Sequence, residues 1–141
     1  MTSPSPDASA HGPANKEGPL VLIVDDNGKN RKLARDVLRA AGFRTLEAAS
    51  GAEGIALAAE HVPDVILMDL RLPDMDGIDA ARRLGDWART ARIPVVALSA
   101  MPLEIGADWF VTAGFAGYIE KPIKVGEFAD QVRHYRGVPG G

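Results

Sequence analysis

The sequence predicts an α/β domain built on a parallel sheet with helices on both faces. Between residues 20 and 136, five short apolar or β-branched runs alternate strictly with five longer stretches of helical period. Several of these runs are apolar throughout, the pattern of strands buried on both faces, and alternation of this kind joins parallel strands through right-handed crossovers.

The elements follow in order. Leu20-Val21-Leu22-Ile23-Val24 reads as the first strand. Across residues 30–41, Leu33, Ala34, Val37, Leu38 and Ala41 fall on one helical face, and Gly42 supplies the stop. Residues 43–48 form the second strand, and Gly51–His61 an Ala-rich helix that ends before Pro63. Residues 64–69 are the third strand, and Asp76 is placed to cap a helix running to about Trp87. Residues 94–98 make the fourth strand, 103–113 the fourth helix, and 115–120 the fifth strand. Val125, Phe128, Val132 and Tyr135 mark the inner face of the last helix.

At 141 residues the chain holds one domain. The first 19 residues have no Leu, Ile, Val or Phe, so they read as a disordered leader, and residues 137–141 as a flexible tail, leaving 20–136 for the fold. Hydrophobic residues are 46% and charged residues 25% of the chain, enough apolar content for a sizeable core. Sixteen Lys and Arg against 19 Asp and Glu argue against direct nucleic-acid binding, which needs a clustered positive excess. The absence of cysteine excludes disulfides, thiol catalysis and Cys-ligated metals, and it fits a cytoplasmic protein. His11, His61 and His134 are not spaced as metal ligands, and no apolar run approaches the roughly 18–20 residues of a membrane span.

In an open parallel sheet, ligands gather beyond the carboxyl ends of the strands. There the sequence places Asp25 and Asp26 after the first strand, Asp69 at the end of the third, Ser99 after the fourth and Lys121 after the fifth. Any one of these could be a turn former or a solvated side chain. As a set they bring three carboxylates, a hydroxyl and an amine to one edge. Carboxylates so close repel one another unless a cation joins them, and an oxygen-only donor set suits Mg²⁺. A metal, an amine and a spare carboxylate are the parts that bind a phosphoryl group and form an acyl phosphate.

These residues resemble the receiver domain of two-component response regulators. The likeness covers about residues 20–136 and rests on Val24-Asp25-Asp26, Leu67-Met68-Asp69, Leu72-Pro73-Asp74-Met75-Asp76-Gly77, Ala97-Leu98-Ser99-Ala100 and Gly117-Tyr118-Ile119-Glu120-Lys121-Pro122. It implies a flavodoxin-like (βα)₅ fold with strand order 2-1-3-4-5. It implies Asp69 as phosphoacceptor, supplied by a phosphohistidine on a sensor histidine kinase or histidine phosphotransfer protein. Mg²⁺ would be held by Asp26, by Asp25 mostly through water, by Asp69 and by the backbone carbonyl of Arg71. Lys121, ahead of a cis bond to Pro122, would pair with the phosphoryl oxygens, and Ser99 and Tyr118 would form the switch. The output would pass through the helix 4, strand 5, helix 5 face to a separate effector protein. Such a protein catalyses only its own phosphorylation and dephosphorylation, and because the chain stops after its fifth helix a stand-alone receiver is expected.

Three points stand beside that reading. Asn27-Gly28-Lys29 is expected to be a flexible, positively charged loop, and Arg71 and Met101 occupy positions that tune dephosphorylation in the family. On the fourth helix, Ile105 and Trp109 lie off the core stripe of Leu103, Ala107, Phe110 and Ala113. Trp109 either covers a neighbouring helix or, with Ala107 and Val111, belongs to a partner surface. The alternative function is a Mg²⁺-dependent phosphatase-like hydrolase with an aspartyl nucleophile. Phosphatases of the haloacid-dehalogenase type usually carry a second Asp two residues after the nucleophile, where this chain has Arg71. A nucleotide or flavin site would want a glycine-rich loop after the first strand, where Asp25-Asp26-Asn27 stands instead.

Overall fold

Five strands, β1 (Leu20–Val24), β2 (Arg44–Ala48), β3 (Val65–Asp69), β4 (Val95–Ser99) and β5 (Gly117–Glu120), pair in parallel in the order β2-β1-β3-β4-β5. Between and after them run α1 (Gly28–Ala40), α2 (Gly51–His61), α3 (Gly77–Asp86), α4 (Ala107–Thr112) and α5 (Val125–Arg136). The computed structural model describes residues 18–100 and 107–136, and of Ala107 the backbone alone. The expected start of α4, with Leu103, Ile105 and Met101, lies outside the described residues, as do residues 1–17 and 137–141.

Uninterrupted apolarity in the central strands has a direct cause. Val21, Ile23, Val65, Leu67, Val96 and Leu98 face one layer, where Ala34 and Leu38 of α1 and Phe128 and Val132 of α5 cover them. Leu22, Val24, Ile66, Met68, Val95 and Ala97 face the other, against Ile55 and Ala58 of α2, Ala80, Ala81 and Leu84 of α3, and Phe110 of α4. Each fully buried Leu, Ile or Phe contributes about 1.5–3 kcal/mol relative to exposure, so the sheet is the main store of stability. Its register also fixes the working edge: Val24 lies opposite Met68, Asp69 opposite Leu98, and Ser99 opposite Glu120.

Several boundaries differ from expectation. The segment after Asp26 is not a flexible loop: Asn27 caps α1, its Oδ1 accepting from the amides of Lys29 and Asn30 at 2.9 and 3.1 Å, so the helix begins at Gly28 rather than Asn30. Leu33 remains 40% exposed beside the site, and Val125 at the start of α5 is also exposed. Phe43 is buried but precedes β2. Asp76 sits at the N-cap of α3, yet its side chain makes no capping bond. α2 ends on Val62 in the left-handed region at φ 47°, before Pro63. At the sheet edge, the carbonyls of Gly18 and Pro19 each accept a 2.8 Å bond from Arg44, so ordered pairing starts two residues earlier than position 20. Among the described residues no helix is long and apolar enough to cross a membrane.

Candidate functional site

Because β1 and β3 are neighbours in register, their last residues bring Asp25, Asp26 and Asp69 together, with one ligand atom of each within 4.8 Å of the others. Asp69 is the final residue of β3 and Ser99 the final residue of β4; they are 8% and 3% exposed. Lys121 follows β5, its amide donating to the Ser99 carbonyl at 2.8 Å, and the Lys121–Pro122 bond is cis as expected. The Lys121 ammonium donates to Asp69 Oδ2 at 2.9 Å and stands 3.1 Å from Asp25 Oδ2. These side chains line one crevice of about 720 Å³ at the carboxyl edge of the sheet.

The backbone holds the acids in place. Asp25 is 1% exposed, its Oδ1 accepts from the Asn27 amide at 2.9 Å, and its carbonyl accepts from Arg31 Nη1 at 2.7 Å. Arg31 also reaches Glu47 of β2 at 3.3 Å, which Arg35 grips at 2.9 Å. Asp69 Oδ1 accepts from the Arg71 amide at 3.1 Å. Behind it, Gly77 donates its amide to the Leu70 carbonyl at 2.9 Å and lies so close that a Cβ there would come within 2.4 Å of the Asp69 carbonyl oxygen.

Charge is unevenly settled in this crevice. Burial pushes the Asp69 carboxyl above its ordinary value, and the nearby Asp25 charge adds to that; together they outweigh the bonds from Arg71 and Lys121. Burial works against the Lys121 ammonium, but Asp69 and Asp25 overcome it and hold its pKa above the ordinary value. The Lys121 ammonium thus meets two of the three carboxylates, Asp69 and Asp25, and makes no ion pair with Asp26 among the described residues. A hard divalent cation fits this oxygen-rich donor set. The raised Asp69 value carries a stability consequence. A folded-state pKa above the unfolded one means stability is fully present below the unfolded value and lost as pH rises through the folded one. In metal-free buffer, wild type should therefore lose stability relative to Asp69→Asn as pH rises above about 4, and equilibrium urea unfolding of both proteins across that range checks the sign. A gap that widens in the opposite direction would refute it.

The sequence model of the response regulator receiver domain matches residues 21–133. The chain belongs to that family. Its relatives include the polar-differentiation response regulator DivK of Brucella ovis, 39% identical over 117 residues that span 83% of this chain and 95% of that protein. The DivK of Brucella anthropi is 38% identical over the same coverage. Among solved structures, the receiver domain of the sensor histidine kinase PA1611 from Pseudomonas aeruginosa, with a magnesium ion coordinated in its active site cleft, is 32% identical, with a TM-score of 0.76 over 85% of this chain and 98% of that one. A Francisella response regulator receiver domain is 27% identical, with a TM-score of 0.76 over 84% and 97%.

As a receiver domain, the chain brings Asp25, Asp26, Asp69, Ser99, Lys121 and Arg71 to one crevice. Tyr118 lies outside its lining: half-buried on β5, it stacks on Phe110 with ring centroids 4.6 Å apart, and its carbonyl accepts from the Tyr135 hydroxyl at 3.3 Å. Trp109 is half-buried against the same core layer, edge-on to its helix neighbour Phe110 at 5.0 Å. Val111 is 59% exposed, and the side chain of Ala107 is outside the described set. Two contributors escaped sequence reading. Arg31, which secures the Asp25 carbonyl, is by sequence one more polar residue of α1 that spacing does not single out. Asp74 stands in the Leu72–Gly77 run with no role of its own in the sequence reading, and its partners lie on a different element.

Proposed function

We propose that Asp69 accepts a phosphoryl group from a phosphohistidine of a sensor histidine kinase or histidine phosphotransfer protein. The observation that carries this reading is the Asp69 carboxylate set between the Lys121 ammonium and the Asp25–Asp26 pair in an open crevice. A carboxylate oxygen of Asp69 attacks phosphorus as the N–P bond breaks; the imidazole leaves with the electron pair, and an acyl phosphate remains. Asp26, Asp25, Asp69 and the Arg71 carbonyl are the groups that would hold Mg²⁺. When bound, that ion supplies the positive charge that lets a phosphoryl group approach three acids. Lys121 is already bonded to Asp69 Oδ2 and can pass its hydrogen bond to a phosphoryl oxygen.

Ser99 ends the adjacent strand, and its hydroxyl would bind another phosphoryl oxygen, with the Tyr118 ring moving from its stack on Phe110 as the second half of the switch. The changed face of α4, β5 and α5, with Val111 exposed on it, would then meet an effector protein. Chemistry of this kind is confined to the domain's own phosphorylation and dephosphorylation. A phosphatase is not favoured, because the residue two after the acceptor is Arg71, which offers no acid for turnover.

Incubation with Mg²⁺ and acetyl phosphate, followed by intact mass measurement, tests the reading. Wild type should gain one phosphoryl group, whereas Asp69→Asn, or wild type in chelator, should gain none. Rapid consumption of donor without an adduct would instead support hydrolysis, and an adduct on Asp69→Asn would remove Asp69 from the role.

A further inference from the structure

Asp74 lies midway along the loop between β3 and α3, and its carboxylate reaches a different helix. Oδ1 accepts from the Gly51 amide at 2.8 Å and Oδ2 from the Ala52 amide at 2.9 Å, the first two amides of α2. That helix already has a cap of its own. Ser50 Oγ accepts from the Glu53 amide at 3.1 Å, and Glu53 Oε1 accepts from the Ala49 amide just before the cap at 2.8 Å. Water could serve the exposed Ala52 amide, so the helix does not need a carboxylate from 22 residues away. What depends on this pair of bonds is the loop.

Loop residues 70–76 are pinned in two places. At the base, the Gly77 amide bonds the Leu70 carbonyl at 2.9 Å, and Arg71 forms an isolated bridge with Asp76. In the middle, Asp74 holds α2, and the Met75 side chain covers Gly51 so closely that a Cβ there would come 2.5 Å from Met75 Cγ. Arg71 belongs to the base pin, three residues before Asp74 in the middle one. α2 is itself fixed relative to the other acids, since Ile55 and Ala58 pack with Val24 and Ala48, and the Asp25 amide bonds the Ala48 carbonyl at 3.0 Å. The Ala52 and Gly51 amides also hold the Asp74 carboxyl below its ordinary value, which keeps it ionised as an acceptor.

We infer that Asp74 is a positioning residue that ties the β3–α3 loop to α2 and so sets the Arg71 carbonyl against the cation beside Asp69. The inference rests on the magnesium reading above and extends it to a residue outside the crevice. Groups that orient metal ligands typically affect affinity by about 10-fold or more when removed.

Mg²⁺ titration followed by NMR shifts of the amides around Asp69 is the test, with Asp74→Ala, Asp74→Asn and Ser50→Ala beside wild type. Asp74→Ala should weaken Mg²⁺ binding about 10-fold. Asp74→Asn, which keeps one acceptor oxygen, should recover much of that loss. Ser50→Ala removes a cap bond from the same helix and should lower thermal stability while leaving Mg²⁺ affinity within about twofold, which separates loop positioning from capping. Should Asp74→Ala not fold, an intermediate weakening in Asp74→Asn carries the same meaning. Unchanged affinity in a folded Asp74 variant, or an equal loss in Ser50→Ala, would overturn the inference alone. Wild type that takes up no Mg²⁺ would overturn the metal reading and this inference with it.

Discussion

Gly77→Ala should slow phosphorylation of Asp69 by about 100-fold and destabilise the domain by about 1–3 kcal/mol, the cost of forcing atoms into a packed site. The added methyl would meet the Asp69 carbonyl oxygen at 2.4 Å and the Leu70 Cα at 2.9 Å. Both obstacles are backbone, so no rotamer change relieves them. The strand end carrying the phosphoacceptor must shift, and a displacement of an ångström at a reacting group is enough to cost about 100-fold in rate. Gly85→Ala is the matched control, because a Cβ there meets nothing within 4 Å and the same helix should gain stability by about 0.5–1 kcal/mol. Urea unfolding and intact mass after acetyl phosphate treatment read both effects. A Gly77→Ala protein that phosphorylates like wild type would show that the close approach is unimportant.

Lys121→Met should slow phosphorylation by about 100-fold or more, the usual loss when a preorganised donor to developing charge is removed. Its effect on stability depends on the metal. In chelator, deletion of the ammonium leaves the Asp25 and Asp69 carboxylates, 1% and 11% exposed as side chains, without their cation. Breaking a buried pair from one side costs about 3–5 kcal/mol, here reduced because Lys121 itself is one-fifth exposed. Added Mg²⁺ replaces the missing charge. The thermal shift on Mg²⁺ addition should therefore be larger for Lys121→Met than for wild type, because in the native domain the ammonium competes with the metal for the same oxygens. Thermal unfolding of both proteins with and without Mg²⁺ measures this, and a smaller shift in the variant would mean that Lys121 assists metal binding instead.

The sheet was legible because its central strands β1, β3 and β4 are apolar on both faces and each run is closed by a polar residue. Asp25, Asp69 and Ser99 therefore marked their strand ends and the site together. Boundaries set by a side-chain cap were harder. Gly28 and Lys29 have no helical pattern of their own, and α1 starts there because Asn27 Oδ1 accepts from the amides of Lys29 and Asn30. Asp76 had the right type and place for a cap, yet the amide of Gly77 turns back to Leu70 rather than toward it. Leu33 matched the apolar period of α1 but lies over the groove beside Lys121 rather than under the sheet. Asp74 and Arg31 were invisible for a shared reason. Each acts on the backbone of another segment, and single-sequence spacing carries no record of a partner fixed only by tertiary packing.

Strand order divides the site into parts of unequal permanence. The three acids stand at the ends of β1 and β3, interior strands each held on two sides, whereas Tyr118 lies on, and Lys121 just after, β5, an edge strand attached through β4. Partial opening of a protein usually begins at such an edge and spares the centre. If β5 lifts with its flanking helices, the Lys121 ammonium and the Tyr118 ring depart while the three carboxylates stay assembled. Under mild destabilisation the topology thus predicts that the roles proposed for Lys121 and Tyr118 fail before cation binding at the acids.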